Sequence, residues 1–387
     1  MAIVPVSLLG ASLITTTTKF RESQKVTNPI AEERPSYVPE NGTFRSYFIG
    51  GQAVSFGFSV NTSGFVTKEI DDVPCCCCGG RMILASELGD KAREFSGIRG
   101  EELADKIEED KDFFRTPQRL IMMLAAEEAR KHPGYDLTRA KNAAGNGLRA
   151  KTQAYCVKTL QEADAIAKAA YGEDNPVSKL IAEEIERIQA GKIERMHFTD
   201  KLEELEDEID PITFHAILDH AMDIPKGYKE VAEAFSLAKG SAKDIAESLL
   251  KPSTQTIEHI HPKSHGGPND TENFIAECKD CNNQRGNISY KEWLRVHPEY
   301  PSKAQKHIEW FQQQIIDGVI DSRYDSYGED VKKTLSKESD GMIELKVLSA
   351  AKIKELREAK MAGKTVNVSE EIQKLYGEKE ETEETAA

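Results

Sequence analysis

Glu258 and His259 stand side by side at the end of a short apolar run, and from Thr256 to Asn287 the chain is crowded with residues that can do chemistry. A Pro/Gly-rich loop with Pro262, Gly266 and Gly267 follows. Asn273 comes next, and then Cys278-Lys-Asp-Cys281-Asn282 opens a short helical stretch for which Gly286 is a suitable stop. A second Cys-x-x-Cys lies about 200 residues upstream, inside Pro74-Cys-Cys-Cys-Cys-Gly-Gly. Seven cysteines are an odd number for a disulfide framework, and no convincing secretory signal precedes them. In a reducing compartment two Cys-x-x-Cys pairs read as metal ligands. Spacing favours Cys75 and Cys78 over the inner Cys76 and Cys77. If the upstream pair returns in space to Cys278 and Cys281, the four make a tetrahedral structural Zn²⁺ site. The same residues also allow Cys75 and Cys78 to form a separate site, or none.

The acid–His pair, the Pro-x-Ser-x-Gly-Gly loop, the central Asn and the Cys-x-x-Cys-Asn-x-x-Arg-Gly closure occur in the order that resembles HNH endonucleases of the ββα-metal, or His-Me finger, class. Phage resolving endonucleases, HNH restriction-type nucleases and the HNH domain of CRISPR effector nucleases are similar. The resemblance covers this stretch and the upstream Cys-x-x-Cys, and most of the chain lies outside it. It implies hydrolysis of DNA phosphodiester bonds to 5′-phosphate ends, with RNA as a possible target. His259 matches the general base on water, Glu258 and Asn282 the ligands of the catalytic ion, and Asn273 the residue that holds the loop and orients the histidine. Arg285 and Lys263 are expected to touch phosphate. Glu258 replaces the more frequent Asp, and Asn282 the frequent His. Oxygen ligands of this kind suit Mg²⁺ or Mn²⁺ better than a catalytic zinc. A non-catalytic, zinc-stabilised nucleic-acid-binding module carries the same residues, as does a nuclease used as a toxin or defence effector.

These side chains must be positioned by strand, loop and helix. Consecutive strand residues face opposite ways, so Glu258 and His259 reach one phosphate only where the strand ends and twists. His261 and His265 fall on the loop, as phosphate contacts or plain loop residues. Tyr290 and Trp293 read as a helix face packed on the knuckle, with base stacking as the alternative.

The rest of the 387 residues set the frame. A formal net charge of −15 argues against a chain that coats nucleic acid by bulk electrostatics. Part of the excess is a tail, Glu370 to Ala387, with seven glutamates against two lysines, expected to be disordered. No apolar run reaches membrane-spanning length, and no Lys or Arg precedes the apolar start, so a leading strand in the cytoplasm is expected rather than a signal peptide. The fold class is α+β and mostly α-helical. Its expected parts are an N-terminal region with a small β element (1–74), the first half of a zinc knuckle (75–84), a helical insertion (85–252), the ββα-metal core (253–300) and a C-terminal helical region with the acidic tail (301–387). Alternation of Phe56, Phe58 and Val60 with small residues, and turns at Asn41-Gly42 and Gly50-Gly51, mark the β element. Within the insertion, Asn175-Pro176 and Thr116-Pro117 open helices. The acid-free window from Leu137 to Gln161 makes Arg149 and Lys151 candidate phosphate contacts, or members of an ordinary solvated helix face. Cys156 reads as a core cysteine. Ile308, Phe311, Ile315 and Val319 mark a later helix face, and a weaker helix is expected over 343–360.

Overall fold

Local signals decide most of the helices. Asn175 accepts a hydrogen bond from the Ser178 amide, Pro176 occupies the first turn where its missing N–H costs nothing, and Val177, Leu180, Ile181 and Ile188 are buried along one face. The computed structural model describes residues 45–49, 52–56, 65, 70 and 72–384, in two units, 1–60 and 61–387. In the first unit, β1 (Arg45–Ile49) and β2 (Gln52–Phe56) pair antiparallel, with Arg45 opposite Phe56. The expected leading strand, both turn dipeptides, Phe58 and Val60 lie outside the described residues.

The second unit is helical around one hairpin. Its first core gathers α1 (Leu88–Arg93), α2 (Gly100–Glu109), α3 (Thr116–Lys131) and α4 (Leu137–Gly145). The second is built on α5 (Leu148–Tyr171), α6 (Pro176–Gln189), α7 (Arg195–Glu203) and α8 (Pro211–Met222) and includes the buried Cys156. Then α9 (Tyr228–Leu237) and α10 (Ala242–Leu250) return the chain to the first core, α10 opening on a Ser241/Asp244 capping box.

The third core holds β3 (Gln255–His259), β4 (Phe274–Cys278) and α11 (Lys279–Arg285), followed by α12 (Tyr290–Val296), α13 (Tyr300–Ile316), α14 (Tyr327–Glu338), α15 (Ala350–Met361) and α16 (Val368–Glu384). β3 and β4 are antiparallel, with Glu258 opposite Ile275 and His259 opposite Phe274. Two expectations are corrected here. Val319 lies beyond the end of α13 and is exposed. The acidic tail, expected without structure, is helical through Glu384, because Val368 and Ile372 bury themselves in the third core and Tyr376 packs against it.

The chain enters and leaves its insertion at one place. The Ile83 amide donates to the Ser253 carbonyl at 3.1 Å, and the Gln255 amide to the Ile83 carbonyl at 2.8 Å. Arg115, buried at the start of α3, donates to the Arg81 carbonyl at 3.0 Å and ties the insertion to the upstream knuckle. No described helix is long and apolar enough to cross a membrane.

Candidate active site and zinc knuckle

The upstream cysteines form a tight turn in which the Cys75 amide donates to the Gly80 carbonyl and the Gly79 amide to the Cys75 carbonyl, both at 2.9 Å. The Cys76 amide then donates to the Ala276 carbonyl on β4, so the turn docks on the strand that delivers Cys278. Cys75, Cys78, Cys278 and Cys281 point their sulfurs together, all within 4.8 Å of one another. The Cys78–Cys278 separation is 4.0 Å, close to the edge of about 3.8 Å for sulfurs 2.3 Å from a tetrahedral zinc. Four sulfurs this close, three of them buried, ionise together only around a cation. Thiol hydrogen bonds from Cys278 and its neighbours hold Cys78 well below the usual thiol range, whereas burial drives Cys75 up. Arg115 faces all four sulfurs, whose negative charge keeps its guanidinium protonated against the cost of burial. Charge, donor type and spacing all fit a structural Zn²⁺.

The hairpin sets out the motif. Side-chain alternation persists to the end of β3: Glu258 is 6% exposed and turned inward, while His259 is half-buried and faces out. Glu258 pairs with Arg285 on α11. Arg285, expected at phosphate, is only 1% exposed; it also donates to the carbonyls of His259 (3.2 Å) and Ile260 (2.8 Å) and lies over the Tyr290 ring. Its fork is spent on holding the strand end, so it makes no surface contact. One helical turn earlier, Asn282 Nδ2 donates to the Ile257 carbonyl. Glu258 and Asn282 are therefore both engaged along the β3–α11 seam, Glu258 by Arg285 and Asn282 by the Ile257 carbonyl, and Glu258 lies on the opposite face of β3 from His259 rather than turning to the same phosphate as expected. The donor chemistry of the two fits a hard ion, which takes few protein ligands and completes its shell with phosphate and water.

Asn273 is 1% exposed and staples the loop: its Oδ1 accepts from the His261 amide at 2.7 Å, and its Nδ2 donates to the carbonyls of His261 and Pro268. Gly266 adopts φ +91°, and a Cβ on Gly267 would collide with the His261 carbonyl, so the loop admits little but glycine there. Asn269 meets His259, its Oδ1 accepting from Nε2 at 2.8 Å. Asn269 escaped the sequence reading because an Asn after Pro in a loop is an ordinary turn residue. The His259 ring is braced edge-on against Phe274, 4.9 Å away.

The other candidates sort plainly. Lys263 is exposed on the loop. His261 is tied to α14: Nδ1 meets Glu338 at 2.9 Å and Nε2 the His265 carbonyl at 3.1 Å. Two acceptors on one ring favour the imidazolium, and the Glu338 carboxylate raises its pKa. Tyr290 and Trp293 are core residues. The basic window, offered as a phosphate surface, is largely spent within the fold. Lys151 pairs with Glu128 and donates to the Ala143 and Ala144 carbonyls at the end of α4, and Arg149 donates to the Gly191 carbonyl.

A family model described as HNH endonuclease matches residues 244–287. No curated protein and no solved structure matches the chain. That stretch spans the hairpin, the stapled loop and α11 with the downstream half of the cysteine cluster, and over it the chain carries an HNH endonuclease domain of the His-Me finger kind.

Proposed function

We propose that this chain is a metal-dependent endonuclease that hydrolyses DNA phosphodiester bonds, with His259 as the base that activates water. The observation that carries this reading is the setting of His259 at the open end of β3. The contact of Nε2 with Asn269 Oδ1 anchors the ring at the end of β3. Phe274 fixes the ring plane, and Asn273 fixes the loop that carries Asn269. Glu258 and Asn282 are the residues that would hold Mg²⁺ or Mn²⁺, which requires that the buried Glu258–Arg285 pair open and the end of β3 turn Glu258 to the face of His259; the ion would draw charge from the crowded phosphate and from the departing 3′ oxygen. Until then Arg285 holds the carboxylate of Glu258 in place and keeps the strand end rigid. Lys263 lies on the loop as a phosphate contact, and the helical insertion with its flanks sets which DNA is cut.

The test is cleavage of supercoiled plasmid with Mg²⁺, Mn²⁺ or EDTA, beside His259→Ala and with an RNA substrate in parallel. Nicking or linearisation should require the added metal and fall at least about 100-fold in the variant, the usual worth of a positioned base. Wild type and variant equally inert on duplex, branched and single-stranded DNA, both folded and zinc-loaded, would transfer the reading to a nucleic-acid-binding module.

A further inference from the structure

We propose that Cys77, His297 and Glu299 form a second transition-metal site, set against the four-cysteine cluster and suited to Zn²⁺. Cys77 belongs to the knuckle turn but not to the tetrathiolate. His297 ends α12, and Glu299 immediately precedes α13. All three are buried, at 0, 5 and 2% exposure, and one ligand atom from each lies within 4.8 Å of the others. A thiolate, an imidazole and a carboxylate are the mixed donor set that zinc accepts and that hard ions do not.

Two further observations point to an ion. His297 Nδ1 meets Glu299 Oε1 at 2.8 Å, yet His297 Nε2 and Glu299 Oε2 are buried without a hydrogen-bond partner. Orphaned polar atoms on two adjacent buried side chains are costly, and coordination removes that cost. Arg195, itself buried, faces Glu299 and Cys77; with a thiolate at Cys77 and a carboxylate at Glu299 the pocket still carries a net negative charge, which a bound dication would offset. The ring of His297 is held by a tilted contact with Trp293, 4.0 Å between centroids.

The test is metal stoichiometry, which does not depend on nuclease activity. Zinc per chain is measured by mass spectrometry after saturation with Zn²⁺ and dialysis, and Co²⁺ is titrated into the chelated protein while the thiolate–cobalt absorption is followed. Two equivalents are expected in wild type by both readings, and one in His297→Gln and in Cys77→Ser. One equivalent or none in wild type overturns the proposal without reference to whether any variant folds. Two equivalents that survive in both variants overturn it as well.

Discussion

At the scale of single residues, the site turns on which partner each polar group has. Asn269 anchors the ring of His259, so Asn269→Ala should lower kcat about 10- to 100-fold while zinc content stays unchanged. Asn269→Asp should instead move the acid limb of the pH–rate profile upward, because a carboxylate at Nε2 favours the imidazolium. If neither variant alters rate or profile, the hydrogen bond does not position the base. Arg285 makes a different argument. Its charge is taken out of water with that of Glu258, and removing one partner strands the other. Arg285→Met should cost about 3–5 kcal/mol in urea unfolding, and Glu258→Leu/Arg285→Met should recover most of it. A double variant no more stable than the single would mean that the loss comes from the Arg285 bonds to the His259 and Ile260 carbonyls.

Elements are tied to one another by a few buried groups that titrate. His307 on α13 donates from Nδ1 to the Pro74 carbonyl at 2.7 Å, linking the helix to the segment that leads into the cysteines. Burial lowers its pKa from the ordinary 6.5 to about 4. Between those values the unfolded chain binds the extra proton, so stability is intact above pH 6.5 and drains away as pH falls toward 4. Wild type should lose about 1 kcal/mol more than His307→Asn between pH 7.5 and 5.5. The difference between the two is the quantity to read, since acid also attacks the thiolates of both; equal slopes would remove His307 from the account. What the sequence made legible at this scale followed from how local the cause is. α6 announced itself through Asn175, Pro176 and one apolar face, and the four cysteines through ligand chemistry that needs no knowledge of the intervening fold. The inward turn of Arg285 was not legible, because its acceptors are carbonyls more than twenty residues away on a strand that only the folded hairpin supplies. The helix at the acidic end was hidden for a related reason: its charge composition reads as solvated, and only packing of Val368, Ile372 and Tyr376 on the third core makes it pay.

For the whole molecule the question is what the zinc knuckle holds together. Closing a loop of about 200 residues costs an unfolded chain about 5 kcal/mol, and a metal cross-link would have to meet that cost if the two cysteine pairs were joined by random coil. They are not. The insertion enters at Ile83 and leaves at Thr254, bridged directly, and has two hydrophobic cores of its own. Once it folds, the loop that the metal must close is short. The third core is in the opposite position. Its hairpin has two strands, and the four clustered cysteines lie in the same core, so a short hairpin would draw its stability from an ion bound there. The chain should therefore lose structure in two steps. Both tryptophans, Trp293 and Trp310, belong to the third core, so their emission reports that core alone, while far-UV circular dichroism is weighted toward the ten helices α1–α10 of the insertion. Stripping zinc with a thiol-compatible chelator, or replacing Cys278 by Ser, should shift tryptophan emission to the red and leave most of the helical signal in place. Heating should then show the remaining helices melting separately. A single transition in which emission and dichroism fall together would mean that the insertion cannot stand without the knuckle, and that the contacts of Arg115 with Arg81 and of Ser253 with the Phe113 carbonyl couple the cores into one cooperative unit.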